Sequence, residues 1–244
     1  MGNVMSIPHS YLKGIQMLTK GNNHEPQTID DIIFGNNESK LRIEDIVSGT
    51  EALPYCGKSA ILLYGVFGTG KTTLAKMLPN YIEYGKTKEE LVWPEEFIAC
   101  QQGFNGPQVM AKIDAILTKS SFNVSGLHYI ILDEVDNLTK QAQQSLKSAM
   151  NTTRGIFILT TNNVSQLDKG MLDRCVLVEM NAANPNAYLD IAKSIADDAG
   201  VTLSNDELLP TIQAANGSFR NLFHNVGRLA RRKEQHTTPP NVIY

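Results

Sequence analysis

The chain has 244 residues, 42% of them hydrophobic, with 22 Lys+Arg against 25 Asp+Glu. That length and apolar content support a packed globule with one sizeable core and a small second unit. The near-balance of charge excludes a wholesale polycation but leaves room for a local basic patch, and Cys56, Cys100 and Cys175 have neither disulfide nor metal-site spacing.

At the amino terminus, "MGNVMS" matches the myristoylation pattern at Gly2 and Ser6. No signal-peptide apolar region follows, and no run approaches the roughly 18 residues of a membrane span. The expectation is a soluble protein of a reducing compartment, cytoplasmic or, in a eukaryote, nuclear, not secreted and with no membrane partner. Residues 1–25 read as a polar extension, with at most a short helix in "SYLKGIQML" and a linker in "GNNHEP".

From residue 26 to 181, short apolar runs alternate with helical patterns. The runs at 60–64, 97–100, 128–132, 156–160 and 175–180 do not alternate polar with apolar residues, so both faces of each strand should be covered. Helices are predicted at 71–78, 107–119 and 139–150. Repeated strand–helix units imply right-handed crossovers, hence an α/β fold with a five-stranded parallel sheet between helices. Beyond residue 181 only helical patterns remain. Asn184 and Pro185 start one that Gly200 stops, "SNDE" at 204–207 is a capping box, and "GSFRNLFHNVGRLARRK" supplies a third. A three-helix lid over 182–233 is expected, then a proline-rich tail, 234–244.

"YGVFGTGKTT" contains the P-loop spacing Gly65-Val66-Phe67-Gly68-Thr69-Gly70-Lys71-Thr72-Thr73, between a predicted strand and a predicted helix. Such a loop turns backbone N–H groups and a helix amino terminus toward phosphate. Lys71 should bridge the β- and γ-phosphates of ATP, and Thr72 should ligate Mg²⁺. "HYIILDEVD" brings Asp133 and Glu134 to the carboxyl end of a buried strand, where open α/β sheets bind ligands. Asp133 is the second candidate Mg²⁺ ligand, and Glu134 the base that polarises water. "GIFILTTNN" ends a neighbouring strand with Asn162 and Asn163, amides suited to orienting water or ordinary turn residues. Arg220 lies in the first turn of the last helix, where the helix dipole disfavours a cation, so an anion is expected nearby. In "DKGMLDRCVLVEM", Arg174 stands directly before an apolar run and needs an anionic partner or water; Asp173 is the adjacent candidate.

Together these stretches resemble the AAA+ ATPases and, within them, the clamp loaders: small subunits of replication factor C and their phage counterparts. The resemblance spans roughly residues 26–233. It implies that "PQTIDDIIFGN" contributes Ile32 and Ile33 to an adenine pocket, that Asn162 is the sensor at a strand end, and that Arg220 contacts the γ-phosphate in cis. The family places an arginine–cysteine pair twelve positions after that sensor, and Arg174–Cys175 stands at this distance from Asn162. Arg174 is thereby implied to be an arginine finger for the ATP of a neighbouring subunit. The implied partners are other AAA+ subunits, in a homo- or hetero-oligomer, a sliding clamp and primer–template DNA, with Lys112 as a DNA-contacting candidate.

Two departures stand beside it. Asp173 occupies the place of the family's serine and is expected to hold the Arg174 guanidinium in cis until a neighbour arrives. No stretch after Lys233 matches the helical collar by which clamp loaders are held together. Another AAA+ remodeller, such as a helicase loader or a transposition regulator, and a non-catalytic ATP-binding scaffold are the alternative readings.

Overall fold

The computed structural model describes residues 24–100, 102 and 105–237. The myristoylation pattern at Gly2, nearly all of the amino-terminal extension and residues 238–244 of the tail lie outside the described residues.

Helix α1, Asn37–Ser48, is absent from the sequence reading; Asn36 caps it by accepting from Ser39 N, and Gly49 ends it in the left-handed conformation at φ 82°. Strand β1, Ala60–Tyr64, leads through the glycine loop into α2, Lys71–Thr87. This helix runs well past the predicted end at 78, straight through Pro79. A proline inside a helix costs about 3 kcal/mol. Here Leu78, Pro79 and Ile82 are all buried, and that apolar face outweighs the lost hydrogen bond.

The chain continues with β2 (Glu96–Ala99), α3 (Gly106–Leu117), β3 (His128–Asp133), α4 (Lys140–Ala149), β4 (Gly155–Thr161), α5 (Lys169–Asp173) and β5 (Cys175–Glu179). The expected sheet is present: five parallel strands in the order β2-β3-β4-β1-β5. Successive side chains point to opposite faces. Thus Ile61, Leu63, Ile131 and Ile158 pack with Ile43 of α1 and with Leu74 and Leu78 of α2. Leu62, Ile130, Phe157 and Leu159 pack on the other face with Val109 and Ile113 of α3 and Leu146 of α4. All seven residues of the central strand β4 are buried, which explains its unbroken apolar run.

A third core belongs to α6 (Leu189–Asp198), α7 (Asn205–Ala215) and α8 (Phe219–Thr237), around Tyr188, Leu208, Ile212, Leu222 and Val226. The Ser204–Glu207 capping box opens α7 as the sequence implies. Asn184 also caps, but residues 185–188 form a 3₁₀ turn and the regular helix begins only at Leu189. The amino end of α8 sits on the glycine loop, with Phe219 N donating to the Gly68 carbonyl at 2.8 Å.

Candidate functional site

Parallel strands deliver their last residues to one edge, and three of them converge here. Tyr64, at the end of β1, is registered with Thr161 of β4, and Leu132 of β3 with Leu159 of β4, so the glycine loop, Asp133–Glu134 and Thr160–Asn162 emerge side by side. The loop is held close to its neighbours. Gly65 has φ 150°, and a Cβ there would lie 2.7 Å from the Met180 carbonyl; one on Gly68 (φ 78°) would strike Ser218 Oγ. Val66 N donates to Asn181 Oδ1 at 3.1 Å, and Thr69 Oγ1 donates to the Val66 carbonyl at 3.1 Å.

Lys71 opens α2 and is 7% exposed. Its ammonium donates to the carbonyls of Gly65 (2.9 Å) and Val66 (2.6 Å). Burial pushes its pKa down to about 8, against the opposing pull of Asp133, Asp136 and Glu134. Thr72, one residue on, donates through Oγ1 to Asp133 Oδ1 at 2.9 Å. Thr160 of β4 donates to the same carboxylate oxygen at 2.6 Å and accepts from Glu134 N at 2.9 Å. Glu134 adopts φ 57°, ψ 54°, a left-handed conformation that costs a non-glycine residue about 1–3 kcal/mol. Its carboxylate accepts from Asn137 Nδ2 at 3.2 Å, and the same amide group donates to the Cys100 carbonyl at 3.1 Å.

Beside this cluster lies a cavity of about 360 Å³, lined by Phe67, Gly68, Gly70, Lys71, Thr72, Thr73, Asp133, Glu134, Thr160 and Asn162 from the sheet unit, Phe219, Arg220 and Phe223 from α8, and His24, Glu25 and Pro26. Its size is that of a small-molecule site. A threonine hydroxyl beside one carboxylate is a hard-oxygen donor set; it suits Mg²⁺, which commonly keeps waters and draws its remaining ligands from phosphates. Thr72 and Asp133 therefore fit that ion.

Most of the residues singled out from the sequence meet at this cavity, but several do not. Gly65, Val66 and Thr69 shape the loop rather than line the space. Ile32 is buried in the core shared with α1 and α2, and Ile33 packs on the helical core; neither lines the cavity, because both turn their apolar side chains to packed surfaces. His24, Glu25 and Pro26 line that side instead. His24 Nε2 lies 2.8 Å from Asp198 Oδ2 of α6, and its ring is 5.5 Å from that of Phe223. Lys112 is exposed on α3, also outside the cavity lining.

Arg174 lies at the other edge of the sheet. Its carbonyl accepts from Ser59 N and Ala60 N at the amino end of β1. The whole of β1 separates it from the glycine loop, roughly 15 Å at strand rise. The expected pairing with Asp173 is not present. Arg174 Nε donates to Asn151 Oδ1 at 3.0 Å and Nη1 to the Gly170 carbonyl at 2.7 Å, while Asp173 faces solvent. Arg174 is the C-cap of α5, and the turn there sends the two adjacent side chains in different directions.

The sequence reading passed over Thr160, Asn137, His24 and Phe223. Thr160 had a usable signal, a hydroxyl ending an otherwise aliphatic strand next to an acidic pair. Asn137 lies three residues after Glu134 in a short 3₁₀ turn, whereas the His24 and Phe223 contacts join residues far apart in the sequence.

Residues 61–181 match the model of the ATPase family associated with various cellular activities (AAA). Among curated proteins, the chain is 28% identical over 186 residues to replication factor C small subunit 2 of Pyrobaculum islandicum, covering 73% of this chain and 55% of that protein. It is 29% identical over 220 residues to replication factor C subunit 4 of Caenorhabditis elegans, with 84% and 60% covered. The chain thus spans between 55% and 60% of the length of these two relatives. A solved structure of the RuvB Holliday junction branch migration motor of Thermotoga maritima superposes with a TM-score of 0.58 at 19% identity, over 86% of this chain and 65% of that one, a likeness of fold.

Proposed function

We propose, for a chain that belongs to the AAA+ ATPases and within them to the clamp-loader family, that it binds and hydrolyses ATP as one subunit of an oligomer that places a sliding clamp on primer–template DNA. The observation that carries this reading is the Thr72–Asp133–Thr160–Glu134 hydrogen-bonded cluster beneath Lys71, combined with an arginine at the far edge of the sheet that cannot reach it.

In this reading residues 26–181 bind the nucleotide, 182–233 form the lid, and 1–25 and 234–244 flank them. Lys71 and the loop amides hold the β- and γ-phosphates, and Glu134 accepts a proton from the attacking water while Asn162 orients it. Thr72 and Asp133 would hold Mg²⁺, which supplies neutralisation of phosphate charge. Thr160 fixes both acids at once, through Asp133 Oδ1 and Glu134 N. Arg220, at the amino end of α8, stands over the cavity to meet the γ-phosphate in cis. Arg174 serves a neighbouring subunit, so isolated subunits should turn over slowly. Lys112 on α3 is assigned to duplex backbone, a contact that needs no net positive charge. A soluble cytoplasmic or nuclear location follows from that role.

ATP turnover measured alone, with primed DNA, and with primed DNA plus a sliding clamp tests the reading. Strong joint stimulation is expected. Stimulation by DNA alone would reassign the chain to a remodeller such as a helicase loader or a transposition regulator, and absence of turnover would leave a scaffold. Mixing Arg174→Ala with Glu134→Gln subunits should restore activity where an intact base meets an intact arginine across an interface.

A further inference from the structure

The hydrogen-bond acceptors of the half-buried Arg174 guanidinium are neutral. Asn151, exposed just beyond α4, accepts from Nε at 3.0 Å, and the Gly170 carbonyl accepts from Nη1 at 2.7 Å. Among the described residues Arg174 forms no ion pair, and Nη2 donates no hydrogen bond. A cation is anchored to the same stretch of backbone. Lys58 Nζ donates to the carbonyls of Asp173 (3.0 Å) and Cys175 (2.8 Å), the residues on either side.

A guanidinium has five N–H donors in a rigid planar fork. Fixing Nε and one Nη1 proton to two oxygens on different segments sets the plane of the fork and leaves the Nη2 edge to meet an anion. A carboxylate in place of Asn151 would give the same orientation but cancel the charge. An amide oxygen orients without neutralising.

We propose that Asn151 is a positioning residue for the trans site: with the Gly170 carbonyl it holds Arg174 in a neutral cradle that presents an uncompensated guanidinium edge to the γ-phosphate bound by the adjacent subunit. This rests on the reading of Arg174 as an arginine finger.

The test is steady-state ATP turnover of the assembled protein carrying Asn151→Ala, Arg174→Ala or both. Native mass under the same conditions confirms that each variant still assembles. Asn151→Ala should lower kcat about tenfold with KM nearly unchanged, the loss expected for one hydrogen bond to a charged group. In the Arg174→Ala background it should lower kcat no further. Because the defect lies in the site of the neighbour, mixing Asn151→Ala with Glu134→Gln subunits should restore turnover. Asn151→Asp, which keeps the acceptor, should also lower kcat by cancelling charge.

Wild-type kcat in Asn151→Ala, multiplicative effects in the double variant, or no restoration on mixing would each overturn the cradle while leaving the finger assignment intact if Arg174→Ala is itself defective. No defect in Arg174→Ala would remove both together.

Discussion

At the carboxyl ends of β1, β3 and β4, the charged and polar groups are partnered within the chain. Lys71 rests on two carbonyls, Asp133 accepts from two threonines, and Glu134 is fixed through its N–H and its carboxylate. Just before β5, Arg174 is oriented by neutral oxygens and forms no ion pair among the described residues, and Lys58, bonded to the carbonyls on either side, adds to the positive field. One edge of the sheet is internally satisfied; the other carries an oriented charge without a counter-charge bonded to it. The difference teaches that one sheet can hold its charged groups in two ways, satisfied within the chain at the carboxyl ends of its strands and oriented without neutralisation at the opposite edge.

The largest expected effect breaks the second edge. Arg174→Ala should reduce turnover of the assembled protein by about 10³-fold, the low end for an arginine finger. The signature is a fall confined to the assembled state; an equal fall in isolated subunits would erase the distinction between the two edges. Next, Glu134→Gln should reduce turnover by about 10²-fold or more while equilibrium ATP binding persists, as loss of a general base requires. Loss of binding instead would make Glu134 part of the nucleotide cradle.

A smaller effect separates internal from external partnering. Thr160→Val keeps the shape but strips Asp133 and the Glu134 N–H of a shared partner, which should cost about 1–3 kcal/mol in urea unfolding. Asn151→Ala, at an exposed position, should leave the unfolding midpoint almost unmoved.

The smallest concerns pH. Lys71 titrates near 8 in the folded chain against a reference of 10.5. Between those values the unfolded chain binds more protons, so this group adds stability as pH rises through the window and contributes none of it below about 8. Phosphate binding needs the protonated form, so ATP affinity should be flat below pH 8 and weaken by up to about tenfold per unit above it. Arg174 keeps its charge throughout. A titration of ATP affinity with the same profile in Lys71→Arg would assign the effect to another group.

Much of the preorganised edge was legible because its determinants are local. The glycine loop, the acidic pair and the apolar runs each occupy one short stretch, and strand-to-site placement follows from parallel topology. The far edge was legible only in part. Asp173 is adjacent to Arg174 in sequence, yet the C-cap turn of α5 parts their side chains, and the true acceptors come from Asn151 and Gly170. Helix α1 escaped notice because few of its residues are buried, Ile43 and Ile46 among them, and Pro79 hid the second half of α2 because burial overrode a local breaker. The left-handed Glu134 has no sequence signal, since glutamate gives no hint of positive φ.

The hydrogen bond from Phe219 N to the Gly68 carbonyl joins the phosphate loop to the first residue of α8. A helix of 19 residues is about 28 Å long. Pivoted at that carbonyl, a rotation of about 10° carries its far end through about 5 Å. Any tilt at the glycine loop is therefore enlarged along the helix, through Arg228, Arg231 and Arg232 toward its end at Thr237.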